Sequence, residues 1–374
     1  MKLKKYISLG LASLCCVWAT SCLGDLDQEP ILDKSSSSIH NEADCQSFLA
    51  KIYSGFGLSG NSSDTNVEPD LQGGDQGSLV FLRGLLSLQL FPSDEAIWNW
   101  ADEGIVELCQ LNWDYTLPYA YSFYQRAMLN VRYCKEFLDV YAADSDIPDI
   151  QKYRDQVRGL RAMNYYYLID LYRNPGVWDD SPTDDKSWKP SQIGAEALFD
   201  KIVAELIDLS ENGNLDETPS MATYGRVTRP VINTLLAKMY LNAEVYTGKP
   251  MYDKAAVYAQ KVIDAGFGLE DNYANLFCGE NHLTGMHKNE IIYAIPFDNV
   301  NAKSYGSTIM LTAAAYGGDM DQTWFGMSSS WTCLKPTQQM IGFFNESPDA
   351  GTDSHGSLVK KDKRYAFYDG AGTR

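Results

Sequence analysis

Basic charge is scarce in this sequence: 31 Lys and Arg stand against 49 Asp and Glu, a formal net of −18 at pH 7. Lys2, Lys4 and Lys5 fall in the first 21 residues, which hold no acid, so the remainder carries 28 basic residues against 49 acids, a net of −21. Such a surface repels phosphate backbones and anionic headgroups, which excludes nucleic acid as a partner and favours neutral ligands. Histidine is scarcer still. The four present (His40, His282, His287, His355) sit in polar segments, outside any HExxH or triad-like context. There is no P-loop and no GxGxxG. A glycosidase needs one ionised and one protonated carboxyl, but pairs such as Asp94-Glu95, Asp102-Glu103 and Asp319/Asp321 are what 49 acids produce by chance. No enzyme is indicated. Past Cys22 no apolar run reaches membrane-spanning length. The cysteines beyond it (Cys45, Cys109, Cys134, Cys278, Cys333) are odd in number and never in a CxxC pair. They predict buried free thiols, with one bridge as the alternative, and neither a disulfide framework nor a zinc site.

What is present begins with an export signal. A lysine-bearing start, a short apolar run from Tyr6 to Ala19 and the small residues Ala19-Thr20-Ser21 lead to Cys22. The run is too short to span a bilayer, so residues 1–21 read as a lipoprotein signal peptide and Cys22 as the lipidated residue. Acyl chains contribute roughly 0.8 kcal/mol per buried CH2, enough for lasting anchorage. Residues 22–40, polar with a serine run, predict a flexible leash between lipid and fold.

Helical periodicity dominates the middle. Residues 44–56 suggest a first helix and residues 57–80 a loop. Tyr119, Phe123, Ala127, Val131, Cys134 and Leu138 recur at three- and four-residue steps over 119–141, with Gln125, Arg126 and Lys135 off the stripe. Further helices are predicted over 150–173, over 195–210, from Thr228 to about Tyr246, and over 252–264. The last two, with Ala237, Tyr240, Ala243, Ala255, Tyr258 and Ala259, resemble a tetratricopeptide hairpin, in which small residues let helices approach while tyrosines fill the gaps. The fold class is therefore mainly α. A helical scaffold covers about 119–266, with loop-rich parts at about 70–115 and 270–340 inside one domain, 41–374. Glu290 to Pro296 reads as a strand.

The ligand signal is aromatic. In LFPSDEAIWNWADEGI, Trp98 and Trp100 stand two apart, so an extended backbone points both rings the same way; the alternative is that at least one is core. A sugar ring offers an apolar C–H face to an indole, and its hydroxyls pair with Arg and Asp. Tyr305, Tyr316, Trp324, Phe325 and Trp331 add aromatics to the loop-rich C-terminal part.

The segments TSCLGDLDQEP, DLQGGDQG, FLRG, LFPSDEAIWNWADE, VRGLRAMNYYYLIDLYRNPG, LLAKMYLNAEVYTGKPMYDKAAVYAQKVI, EIIYAIPFDN, SYGST and SSSWTC run in order through nearly the whole chain. On them the sequence resembles the SusD/RagB family of surface lipoproteins, most of all its starch-binding member. The resemblance implies a SusD-like fold and a non-catalytic role: holding starch or malto-oligosaccharides for a SusC-like TonB-dependent transporter, at the outer face of the outer membrane. Asp25, Asp27 and Glu29 agree with a surface-export signal. It further implies an arc of three aromatics, Trp100, Tyr305 and Trp331, with Arg83 and Asp75 as polar partners. Glu103, or its neighbour Asp102, stands where the family member has an asparagine donor, which keeps an acceptor and loses an amide. No cofactor is implied. Another glycan or a peptide as cargo, a glycoside hydrolase and a structural Ca2+ in the acidic loops remain as alternatives. Family members continue beyond residue 374 with a further helical hairpin, so the chain reads as truncated at its C-terminus.

Overall fold

Wherever apolar side chains recur at helical spacing, the computed structural model places a helix whose apolar stripe faces inward. It describes residues 41–60, 69–74, 76–143, 145–176, 178, 191–218, 220–283, 290–298, 300, 302, 304–317, 329–352 and 358–362. The signal peptide, Cys22, the leash, Asp75, Trp324, Phe325, Asp319, Asp321, His40, His287 and His355 lie outside the described residues. Two units divide the chain, Met1–Cys45 and Gln46–Arg374. In the first, the Asn41 carboxamide oxygen accepts the Asp44 amide at 2.9 Å, an N-cap for the helix that follows.

In chain order the elements are α1 (Glu42–Ser54), α2 (Phe81–Leu90), β1 (Ala96–Trp98), α3 (Ile105–Cys109), α4 (Pro118–Val140), α5 (Ile150–Tyr172), α6 (Ala195–Asn212), α7 (Arg229–Leu241), α8 (Ala243–Thr247) and α9 (Tyr252–Asp264). After them come α10 (Thr308–Ala315), β2 (Leu334–Pro336), α11 (Gln338–Asn345), β3 (Asp349–Thr352) and β4 (Leu358–Lys360). The fold is mainly helical, as its sequence pattern implies. Among the described residues the strands form two small sheets, each one antiparallel pair, β1 with β2 and β3 with β4. Among the described residues no helix is long and apolar enough to cross a membrane.

α6 shows how sequence makes the scaffold. Leu198, Ile202, Leu206 and Leu209 follow at steps of four and three, and all are fully buried. Each contributes about 1.5–3 kcal/mol by leaving water. Glu205, three residues from Ile202 and four from Leu209, borders this stripe and pairs with α5: it meets Arg158 and Arg161, each at 2.9 Å. In the α7–α9 hairpin Tyr240 stacks on Tyr258 with centroids 5.7 Å apart, while Ala243 and Ala255 are buried. Ala256 and Ala259 instead face solvent. The free thiols are as expected, with Cys45, Cys134 and Cys333 buried and Cys109 and Cys278 half-buried.

Four expectations need correction. Arg126 and Lys135, assigned off the stripe of α4, are 1% and 6% exposed. Tertiary contacts reverse their helical position: Arg126 reaches Asp70 Oδ1 at 2.6 Å and the carbonyls of Leu79 and Ser59 at 2.9 Å each. Lys135 pairs with Asp139 at 2.5 Å, one turn on. The helix predicted from Thr228 to Tyr246 breaks at Asn242, whose backbone leaves helical geometry (φ −95°, ψ 9°) between α7 and α8. Residues 290–296 form no strand, and among the described residues no segment pairs with them; Pro296, which lacks an N–H, lies against Gly225.

Candidate functional site

A three-residue ladder brings together two segments more than 230 positions apart. In the β1–β2 pair Ala96 opposes Pro336, Ile97 opposes Lys335 and Trp98 opposes Leu334. The Asn99 amide extends the ladder to the Cys333 carbonyl at 2.8 Å. This register sets Trp100 beside the backbone leading out of Trp331, and the two indoles stand 6.1 Å apart at 36°. Trp331 is fixed from behind by its amide, which donates to the Ala313 carbonyl at the end of α10 at 2.8 Å. The next residue, Thr332, has φ +54°, a left-handed conformation strained for a β-branched side chain. It fits because Gly317 lies against it, where a Cβ would come 1.7 Å from Thr332 Cγ2. Strain of this kind persists only where the surroundings over-determine it, as at binding sites.

Trp98 and Trp100 do not point the same way. Trp98 is 6% exposed and Trp100 42%, and their rings meet edge-to-face at 81°. The strand ends at Trp98, so two-residue alternation stops before Trp100. Trp98 joins Phe91, Leu108, Leu117, Met310 and Cys333 in the cluster under the site. Burial pushes the Cys333 thiol up to about 11, so it stays a neutral part of that floor.

Polar groups gather on the other side of Trp98. Asp102 Oδ2 accepts the Trp98 indole N–H at 2.8 Å and the Arg83 guanidinium at 3.4 Å. Arg83 also donates to the Tyr119 hydroxyl at 3.2 Å, and lies over the Trp98 ring at 5.6 Å and the Tyr119 ring at 5.9 Å. A cleft of about 220 Å³ is lined by Gly73, Gly74, Arg83, Asp102, Glu103 and Tyr119. Asp102→Ala is expected to leave the buried Trp98 N–H without a partner and to cost about 1–3 kcal/mol in denaturant unfolding. Asp102→Asn, which keeps an acceptor, should cost less.

Comparison with known proteins bears on what this arrangement is. No family model matches the chain. The curated starch-binding protein SusD of Bacteroides thetaiotaomicron is 29% identical over 349 residues, 93% of this chain and 61% of that protein. A SusD superfamily protein from Parabacteroides distasonis superposes with a TM-score of 0.63 at 16% identity, over 84% of this chain and 61% of its own. The chain has the SusD-like fold. A third similar structure is the surface glycan-binding protein A of Bacteroides thetaiotaomicron in complex with laminarihexaose, with a TM-score of 0.58, 15% identity and coverage of 86% and 68%. The chain thus spans about three fifths of the curated relative's length. The resemblance drawn from the motifs is borne out.

Within this SusD-like chain the residues expected at the site divide into three sets. Trp100 and Trp331 form one platform, and Arg83 and Glu103 share one cleft. Tyr305 stands apart, 43% exposed, and among the described residues it meets neither tryptophan ring. It sits in the turn before α10, pinned where Gly306 N donates to Ser304 Oγ at 3.2 Å and Ser307 Oγ donates to the Gly57 carbonyl at 3.1 Å. Gly306 is required there, since a Cβ would lie 2.0 Å from the Gly77 carbonyl oxygen. Asp75 lies outside the described residues, although its neighbour Gly74 lines the cleft. Of the two acids at 102–103, Asp102 engages Arg83 while Glu103 is exposed at the rim. Sequence reading missed Tyr119, taken only as a core position of α4. Its periodicity reads as core, which at 5% exposed it is; only its hydroxyl, accepting from Arg83, ties it to the cleft.

Proposed function

We propose that this chain binds a glycan without transforming it, with starch or malto-oligosaccharide as cargo, and hands it to a SusC-like TonB-dependent transporter. Lipidated Cys22 would hold it at the outer face of the outer membrane, and no cofactor takes part. The observation carrying this reading is the Trp100–Trp331 pair, 6.1 Å apart, with Trp100 exposed and Trp331 half-buried, beside the Arg83–Asp102–Glu103 cleft. Two indoles tilted by 36° suit successive sugar faces along a curved strand better than a flat one. A preshaped surface spares the ligand an ordering cost. Tyr305 and Asp75 complete the proposed set, and the similarity to a starch-binding protein supports the choice of cargo. A few stacks and hydrogen bonds correspond to about −4 to −6 kcal/mol, or Kd values from about 1 mM to tens of µM. Weak binding suits a protein that must release its cargo.

A second reading, a β-linked glucan, is favoured by one observation: a similar fold is known in complex with laminarihexaose. Calorimetric titration with maltoheptaose and laminarihexaose side by side separates the two. Heat from maltoheptaose alone is expected; heat from laminarihexaose alone moves the cargo to the β-glucan, and silence from both refutes the site. Reducing ends released from starch over hours would overturn the non-catalytic role.

A further inference from the structure

Across the first turn of α4 from the Arg83 cleft, a second set of aromatics stands in solvent. Residues 111–117 leave α3 and enter α4 with Leu111 63%, Trp113 47% and Tyr115 95% exposed. Trp113, Asp114 and Tyr115 line one open pocket of about 420 Å³, with Pro92, Leu171 and Tyr172 opposite them. That volume falls within the roughly 300–1,000 Å³ of small-molecule sites. Exposed apolar groups clustered in this way mark interaction sites rather than ordinary surface.

The loop is held in shape. Leu111 turns the chain with φ +55°, and the Asn112 amide ties back to the Glu107 carbonyl at 2.9 Å. Asp114 Oδ1 accepts both the Thr116 amide at 2.8 Å and the Thr116 hydroxyl at 2.6 Å. Leu117 N then donates to the Asp114 carbonyl at 3.3 Å, and Pro118 opens α4. The backbone that displays the aromatics is therefore set before binding, which lowers the ordering cost. Those Thr116 hydrogen bonds also hold the Asp114 carboxyl below the usual carboxylate range, so it remains an acceptor at neutral pH.

We infer that this pocket is a second glycan subsite, in which Trp113 and Tyr115 stack sugar faces and the outward oxygen of Asp114 accepts a sugar hydroxyl. The inference rests on the proposed glycan-binding role and extends it to a different surface. Two features favour a sugar over a protein partner. Asp114, between the two aromatics in the chain, lines the same pocket, whereas the core of a protein interface is depleted in Asp. The pocket also lies just across one helical turn from the first site: Leu117 and Ala120 line it, while Pro118 and Tyr119 line the Arg83 cleft. A long glycan can then engage two weak sites on one chain, and the second contact is made at high effective concentration.

The test counts maltotriose sites per chain by equilibrium dialysis, with laminaritriose in parallel, on the full chain kept in detergent. Wild type is expected to bind two. Trp113→Ala/Tyr115→Ala should bind one, as should Trp100→Ala/Trp331→Ala. Retardation in amylopectin gels should drop about tenfold in either double variant, and Trp113→Phe/Tyr115→Phe should recover it. Unchanged stoichiometry in the Trp113→Ala/Tyr115→Ala variant overturns the inference, as does loss there of a protein partner without loss of sugar. If that variant binds one and Trp100→Ala/Trp331→Ala still binds two, the first platform is wrong and the second stands. No sugar bound by wild type overturns both.

Discussion

Trp100→Ala is expected to weaken maltoheptaose binding about 30-fold while leaving the thermal unfolding of the protein close to wild type. The indole is 42% exposed and contributes chiefly a face to the ligand. Removing an anchor aromatic of this kind costs about 2 kcal/mol, which at 1.4 kcal/mol per tenfold is the stated factor. Trp331→Ala should lose binding to a similar degree but also lose stability, because Trp331 packs on the cluster containing Trp98, Leu108 and Met310. Titration and melting on the same two samples separate the effects. Trp100→Phe, which restores a stacking face, should recover part of the affinity. Full affinity in Trp100→Ala would remove Trp100 from the site.

Arg126→Met should carry the largest stability loss of any single change, about 3–5 kcal/mol in urea unfolding. The methionine fills much of the same space but leaves Asp70, only 14% exposed, without its closest cation. Breaking one side of a buried pair costs that much because the remaining charge stays desolvated. Two carbonyls lose a donor as well, those of Leu79 and Ser59. Lys51, 3.5 Å from Asp70, retains part of the compensation and sets the lower bound. Asp70→Asn/Arg126→Met, which removes both charges, should recover some of the loss; no recovery would mean that the carbonyl contacts dominate. Arg126 ties Ser59, Asp70 and Leu79 to α4, so glycan affinity at the cleft should fall together with stability.

Sequence by itself determined the long helices of the scaffold, but not the shorter ones at 81–90, 105–109, 308–315 and 338–345. The repeats of Leu198, Ile202, Leu206 and Leu209 in α6, and of Phe123, Ala127 and Val131 in α4, are local periodicities. Local periodicity needs no partner to be read. The Trp98/Trp100 pair and the SusD-like motifs around it were legible for the same reason, since each lies within a few consecutive residues. What the pattern could not give were facts that depend on a distant partner. Arg126 reads as surface until Asp70 and the Leu79 carbonyl are seen around it. Residues 290–296 read as a strand until no partner strand is found among the described residues. Trp98 and Trp100 look equivalent until a ladder of three residues with 334–336 buries one and exposes the other. Only the tertiary structure decided that Asp102, rather than Glu103, meets Arg83, and that Trp113 and Tyr115 share one pocket. The physical reason is common to all of these: burial and pairing are settled by what packs opposite, and in this chain that is often a segment dozens to hundreds of residues away.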